Sequence, residues 1–113
     1  MPHFVVESGG TLAGGDDRQA ALKIAADCGA QSGVMQAEDI KARLIHCPDF
    51  LALDGRRSFL HITVRLLAGR SDAQKTALSE AWRDAMAVRF ADVQSISIDI
   101  CDMDPGPYKK RLI

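Results

Sequence analysis

A chain of 113 residues, 47% of them hydrophobic, is long enough for one buried core and too short for two ordinary domains. Its 14 basic and 15 acidic side chains nearly cancel, which excludes a global field that would gather nucleic acid or an anionic membrane surface. No apolar run reaches the roughly 20 residues of a membrane helix, and the N-terminus lacks the pattern of a secretory signal, so a soluble, cytoplasmic protein is expected. Cys28, Cys47 and Cys101 are odd in number and widely spaced, matching neither a disulfide framework nor a paired zinc site.

In chain order, Pro2-His3-Phe4-Val5-Val6-Glu7 reads as a strand stopped by Ser8-Gly9-Gly10. Asp16-Asp17 precede a helix over Arg18–Cys28, with Ala21, Leu22, Ala25, Ala26 and Cys28 at helical spacing and Gly29 as its C-terminal cap. Lys41–Cys47 reads as a second strand, ended by Pro48 and an Asp54-Gly55 turn, which completes a βαβ unit. Phe59–Leu67 alternates Leu60, Ile62, Val64 and Leu66 with Phe59, His61, Thr63 and Arg65, the period of a half-buried strand. Ser71-Asp72-Ala73-Gln74 fits a capping box opening a helix with a stripe of Leu78, Ala81, Trp82, Ala85 and Val88, with Met86 and Phe90 at or near the core. Ile96, Ile98 and Ile100 then alternate along a last strand.

The two halves, about 2–47 and 59–101, repeat one plan within a single domain spanning 1–113. Leu12-Ala13-Gly14 recurs as Leu67-Ala68-Gly69, and Phe4, Asp17 and Gln19 recur as Phe59, Asp72 and Gln74, all 55 positions apart. Tandem right-handed βαβ units give an α/β fold, a four-stranded mixed sheet with both helices on one face. The opposite face is expected to be apolar enough to need cover from another copy of the chain.

No nucleophile elbow, Gly-rich phosphate loop or metal spacing stands out. His3, His46 and His61 fall on strands and read as structural histidines, with acid/base or ligand roles as the minority alternative. Phe50 and Leu51 either lid a site or close the core, and Asp102, Asp104 and Lys109-Lys110-Arg111 read as a solvated end or an intersubunit ion pair. The unusual feature is Pro2, next to the initiator Met. It either begins an edge strand, where a missing N–H is harmless, or, with Met1 removed, offers a rigid secondary amine. Burial and nearby cations would lower the pKa of such an amine toward the range useful for general base catalysis.

The opening Pro2–Glu7, then Lys41-Ala42-Arg43, Asp54-Gly55, His61-Ile62-Thr63, Ala68-Gly69-Arg70-Ser71 and Pro105 resemble, in order and spacing, the 5-carboxymethyl-2-hydroxymuconate isomerases of the tautomerase superfamily. The resemblance is weakest between Ser8 and Asp39 and about two residues short between Gly55 and His61. It implies a cofactor-free and metal-free homotrimer in which the N-terminal proline carries a proton during a 1,3-shift on a dicarboxylate enol, in the catabolism of aromatic acids. Two family arginines fall on Arg70 and on Lys41. Lys41 is a departure, because an ammonium lacks the planar fork of a guanidinium. Arg43, two residues along the same strand face, is the alternative second cation. Gly15 stands 55 positions before Arg70, so the turn itself does not demand a cation there. The resulting expectation is a catalytic set of Pro2, Arg70 and Lys41 with Arg43 as a further substrate contact, acting on a small carboxylate. The rival is a ferredoxin-like regulatory module that binds small ligands without chemistry.

Overall fold

The computed structural model describes residues 2–12 and 14–113; Met1 and Ala13, the latter part of the repeated Leu-Ala-Gly triplet, lie outside the described residues. The elements are β1 (His3–Gly9), α1 (Gly15–Gln31), a short 3-10 turn (Ala37–Asp39), β2 (Lys41–His46), β3 (Phe59–Leu67), α2 (Asp72–Arg89) and β4 (Ser95–Met103). They form one four-stranded sheet in the order β2-β1-β3-β4. β2 is parallel to β1 and β4 to β3, as crossover helices require, while β1 and β3 meet antiparallel at the centre. The expected mixed sheet with two βαβ units is therefore present.

Alternation decides the faces. Phe4, Val6 and Ser8 of β1 and Leu60, Ile62, Val64 and Leu66 of β3 are fully buried on the helix side. On that side α1 presents Ala21, Ala25 and Gly29, and α2 presents Leu78, Trp82 and Met86. Small side chains thus stand on α1 where large ones stand on α2. Trp82 uses the room, meeting Phe4 edge to face at 5.0 Å and donating its indole N–H to the Ala25 carbonyl at 2.9 Å.

Four readings change. Gly29 does not end α1: a Cβ there would sit 2.7 Å from the Phe4 ring, so glycine admits the ring while the helix runs on to Ser32 and turns at Gly33, whose φ is +78°. Asp16 and Asp17 lie inside the first turn of α1 rather than before it, and Asp17 pairs with Arg89 at 3.2 Å. On α2, Ala81 and Val88 leave the expected stripe and are exposed, because the i, i+4 row of Leu78, Trp82 and Met86 faces the sheet, while Met86 and Phe90 are buried as expected. The 55-residue repeat fails in the strands, since an odd offset carries Phe4 on the helix face to Phe59 on the other face. In the helices the buried rows correspond at 57 positions, Ala21 to Leu78 and Ala25 to Trp82.

The capping box is present, Ser71 Oγ accepting from Gln74 N while Gln74 Oε1 accepts from Ser71 N. His46 Nδ1 bonds Ser8 Oγ at 3.1 Å and His61 Nδ1 bonds Ser97 Oγ at 2.6 Å, so each ring has one nitrogen paired across neighbouring strands. No helix among the described residues is long and apolar enough to cross a membrane.

Candidate active site

Parallel pairing of β1 with β2 and antiparallel pairing of β1 with β3 bring three points of the sequence to one end of the sheet: the start of β1, the start of β2 and the end of β3. Pro2 stands at this end. Its side chain is fully buried, and its carbonyl accepts from Lys41 N at 3.1 Å, so the first residue of β2 is fixed beside it by a backbone bond. Proline fits here because the position before β1 needs no ladder N–H.

The cations divide between two settings. Arg70 lies in the β3–α2 connection at the same end, half-buried, with Nε and Nη2 donating to the Val34 carbonyl at 3.1 and 2.7 Å and Nη1 donating to Leu67 O at 2.9 Å. Its guanidinium ties the segment after α1 to the end of β3. That overturns the inference from Gly15 that the turn makes no demand on this cation. Three of its five N–H donors serve the backbone, and two are left to meet another group.

Lys41, Arg43 and Arg65 project instead from the face of the sheet opposite the helices, with His3 among them, since His3 pairs with both Lys41 and Arg65 across the strands. Lys41 Nζ donates to the Asp39 carbonyl at 3.0 Å, and Arg43 Nη1 lies 3.3 Å from His3 Nδ1. No carboxylate forms an ion pair with Lys41, Arg43 or Arg65 among the described residues. Burial first, then the charges of Arg43, Lys41, the N-terminal amino group and Arg65, lower the His3 pKa below its ordinary 6.5, which keeps the ring neutral at neutral pH. The arrangement offers a local excess of positive charge to an anion.

This face mixes the two kinds of side chain: His3, Glu7, Lys41, Arg43, His61, Thr63, Arg65 and Asp99 stand among Val5, Ile45, Phe59, Leu67, Cys101 and Met103. Two further readings resolve. Phe50 stacks on Phe59 at 4.9 Å beside Gly9, at the end of the sheet away from Pro2, and therefore does not lid the Pro2 end of its own chain. Asp102 pairs within the chain with Lys75 at 3.1 Å. His3, Arg65 and Tyr108 were not singled out from sequence as site residues. The alternation of β3 placed Arg65 on the face away from the core, whereas nothing local signals that Tyr108 Oη lies 3.0 Å from His3 Nε2.

Two βαβ units on one mixed sheet, with a buried proline heading the central strand, define a tautomerase-superfamily fold. The chain belongs to the 5-carboxymethyl-2-hydroxymuconate isomerase family, whose family model matches residues 2–106. Solved structures agree in fold. Pt0534 inactivated by 2-oxo-3-pentynoate superposes with a TM-score of 0.85 at 15% identity, covering 96% of this chain and 91% of that one. A 5-carboxymethyl-2-hydroxymuconate isomerase from Deinococcus radiodurans R1 gives 0.77 at 20% identity over 97% and 88%. A fused 4-OT symmetric trimer gives 0.77 at 21% over 90% and 85%. No curated protein sequence matches the chain.

Proposed function

We propose that this chain is a tautomerase that moves a proton between oxygen and carbon of a 2-hydroxymuconate-like dicarboxylate, with the nitrogen of Pro2 as the carrier. The observation that carries the reading is the juxtaposition of a buried Pro2 with cations that form no ion pair with a carboxylate among the described residues. After removal of Met1 the neutral secondary amine accepts the enol O–H proton. The oxygen electrons form the carbonyl, the conjugated double bond shifts, and the Pro2 ammonium returns the proton to carbon, so that the product is an isomer of the substrate. Arg70, through its two remaining donors, and Lys41 or Arg43 hold the carboxylates and stabilise charge developing on the dienolate oxygen. No redox step is involved. A homotrimer, the assembly named for the fused 4-OT relative, completes the proposal.

The test compares fully processed protein with protein retaining Met1 or a tag, using 2-hydroxymuconate or phenylenolpyruvate and subtracting uncatalysed ketonisation. Acylation or extension turns the amine into an amide without a usable lone pair, so activity is expected only in the processed form, rising with pH through one group that titrates below an ordinary terminal amine. Equal rates in the two forms would remove Pro2 as the base and leave a ligand-binding module as the better reading.

A further inference from the structure

Arg43 is level with Val5 in the β1–β2 register, yet its guanidinium reaches His3, two residues nearer the start of β1 and next to Pro2. A guanidinium only donates, so Nδ1 of His3 must be the acceptor, and the single proton of the neutral ring then sits on Nε2. That nitrogen faces Tyr108 Oη at 3.0 Å, which accepts it, and the two rings meet edge-on at 70°. Tyr108 belongs to the segment after β4. Since β4 is an edge strand beside β3, and His3 is on β1, this segment crosses β3 on the face opposite the helices to reach the ring. The three possible carboxylate-binding cations are unequal here. Arg70 has given three donors to backbone, Lys41 has given one and has no fork, and Arg43 has given one of five.

We propose that His3, held as its Nε2–H tautomer by Tyr108, is a positioning residue that draws Arg43 to the Pro2 end of the sheet, where Arg43 supplies the bidentate carboxylate grip that Lys41 lacks. The C-terminal segment is thereby part of the site. This rests on the proton-shift reading of Pro2 for its catalytic consequence, while the relay itself has a readout that needs no turnover. The charged and titratable groups facing His3 are Arg43 and Lys41 from β2, the N-terminal amino group, Arg65 from β3 and Tyr108 from the C-terminal segment. Protonating His3 would place a hydrogen on Nδ1 against a donor, so Arg43 is released as pH falls through the lowered pKa of the ring.

The experiment uses the processed protein, 2-hydroxymuconate as substrate, and the variants Arg43→Ala, Tyr108→Phe and their combination. Arg43→Ala is expected to raise KM about tenfold with a smaller fall in kcat, and Tyr108→Phe to raise KM about threefold, as loss of one charge-assisted contact and loosening of its support. The combined variant should match Arg43→Ala alone, because Tyr108 acts through Arg43. Equal factors for Tyr108→Phe in the presence and absence of Arg43 would overturn the relay, as would an effect of Tyr108→Phe confined to kcat. Imidazole 15N shifts of His3 at pH 7.5 should show Nδ1 bare and Nε2 protonated, with the proton redistributing in Tyr108→Phe. An active enzyme whose His3 carries its proton on Nδ1 overturns the relay alone. An inactive enzyme overturns the proton-shift reading and with it the catalytic consequence, and the 15N shifts still report whether the relay exists.

Discussion

The two faces of the sheet obey different rules. Toward the helices, Phe4, Val6, Leu60, Ile62, Val64 and Leu66 are excluded from water and closed by Trp82 and Met86, so each atom on that side is constrained by packing. On the opposite face, His3, Lys41, Arg43 and Arg65 share an end of the sheet in an arrangement that packing does not require and that mutual repulsion disfavours. Among the described residues no carboxylate forms an ion pair with these cations, which is the ground of the anion-binding reading proposed above. One face therefore carries the stability of the fold and the other the proposed substrate contacts, and Arg70 joins them, being structural through Val34 and Leu67 with two donors left over.

The contrast is sharpest at Trp82. Trp82→Ala is expected to cost about 3–5 kcal/mol by removing the ring that fills the space above Ala25 and Phe4, measured as loss of stability to urea. Arg70→Ala tests the joint between the faces. Losing three donors to backbone carbonyls that stay behind half-buried should cost about 2–3 kcal/mol and depress turnover as well, whereas a loss of turnover at unchanged stability would make Arg70 a site residue alone. Gly29→Ala gains roughly 1 kcal/mol of helix propensity but drives a methyl into the Phe4 ring, and a net loss of about 1–2 kcal/mol is expected in the same urea titration. A stabilised Gly29→Ala would mean that the Phe4–Trp82 pair yields more readily than a close-packed face should.

The smallest effect belongs to the other face. The folded state keeps His3 neutral, with its pKa below 6.5, so the unfolded chain binds the extra proton first. The contribution of His3 to stability is therefore complete above about pH 6.5 and declines as pH falls from there to the lowered folded value. Wild type and His3→Asn should have similar stability at pH 7.5, and wild type should lose more than the variant at pH 5.5. Parallel losses would show that neither burial nor the cations lower the pKa of this ring.

The alternation of β3 and β4 and the capping box at Ser71 were legible because each is a short-range pattern whose period or spacing maps directly onto backbone geometry. Gly29 was misread for a related reason. A glycine near the end of an apolar stretch is a good cap locally, and only the approach of Phe4 from another element makes it the floor of a packing contact. The 55-residue repeat likewise matched letters where the pleat, with its period of two, forbids equivalence.

For the candidate site, the sequence alone determined the residue types proposed at its centre: a proline at position 2, a Lys-Ala-Arg start to the second strand, and an Arg just before a helix cap. Tertiary structure decided what each cation touches. Hydrogen-bond partners such as Val34 for Arg70, and His3 with Tyr108 for Arg43, are separated by 36, 40 and 105 positions, distances at which sequence pattern carries no geometry and only strand order and register bring the atoms together.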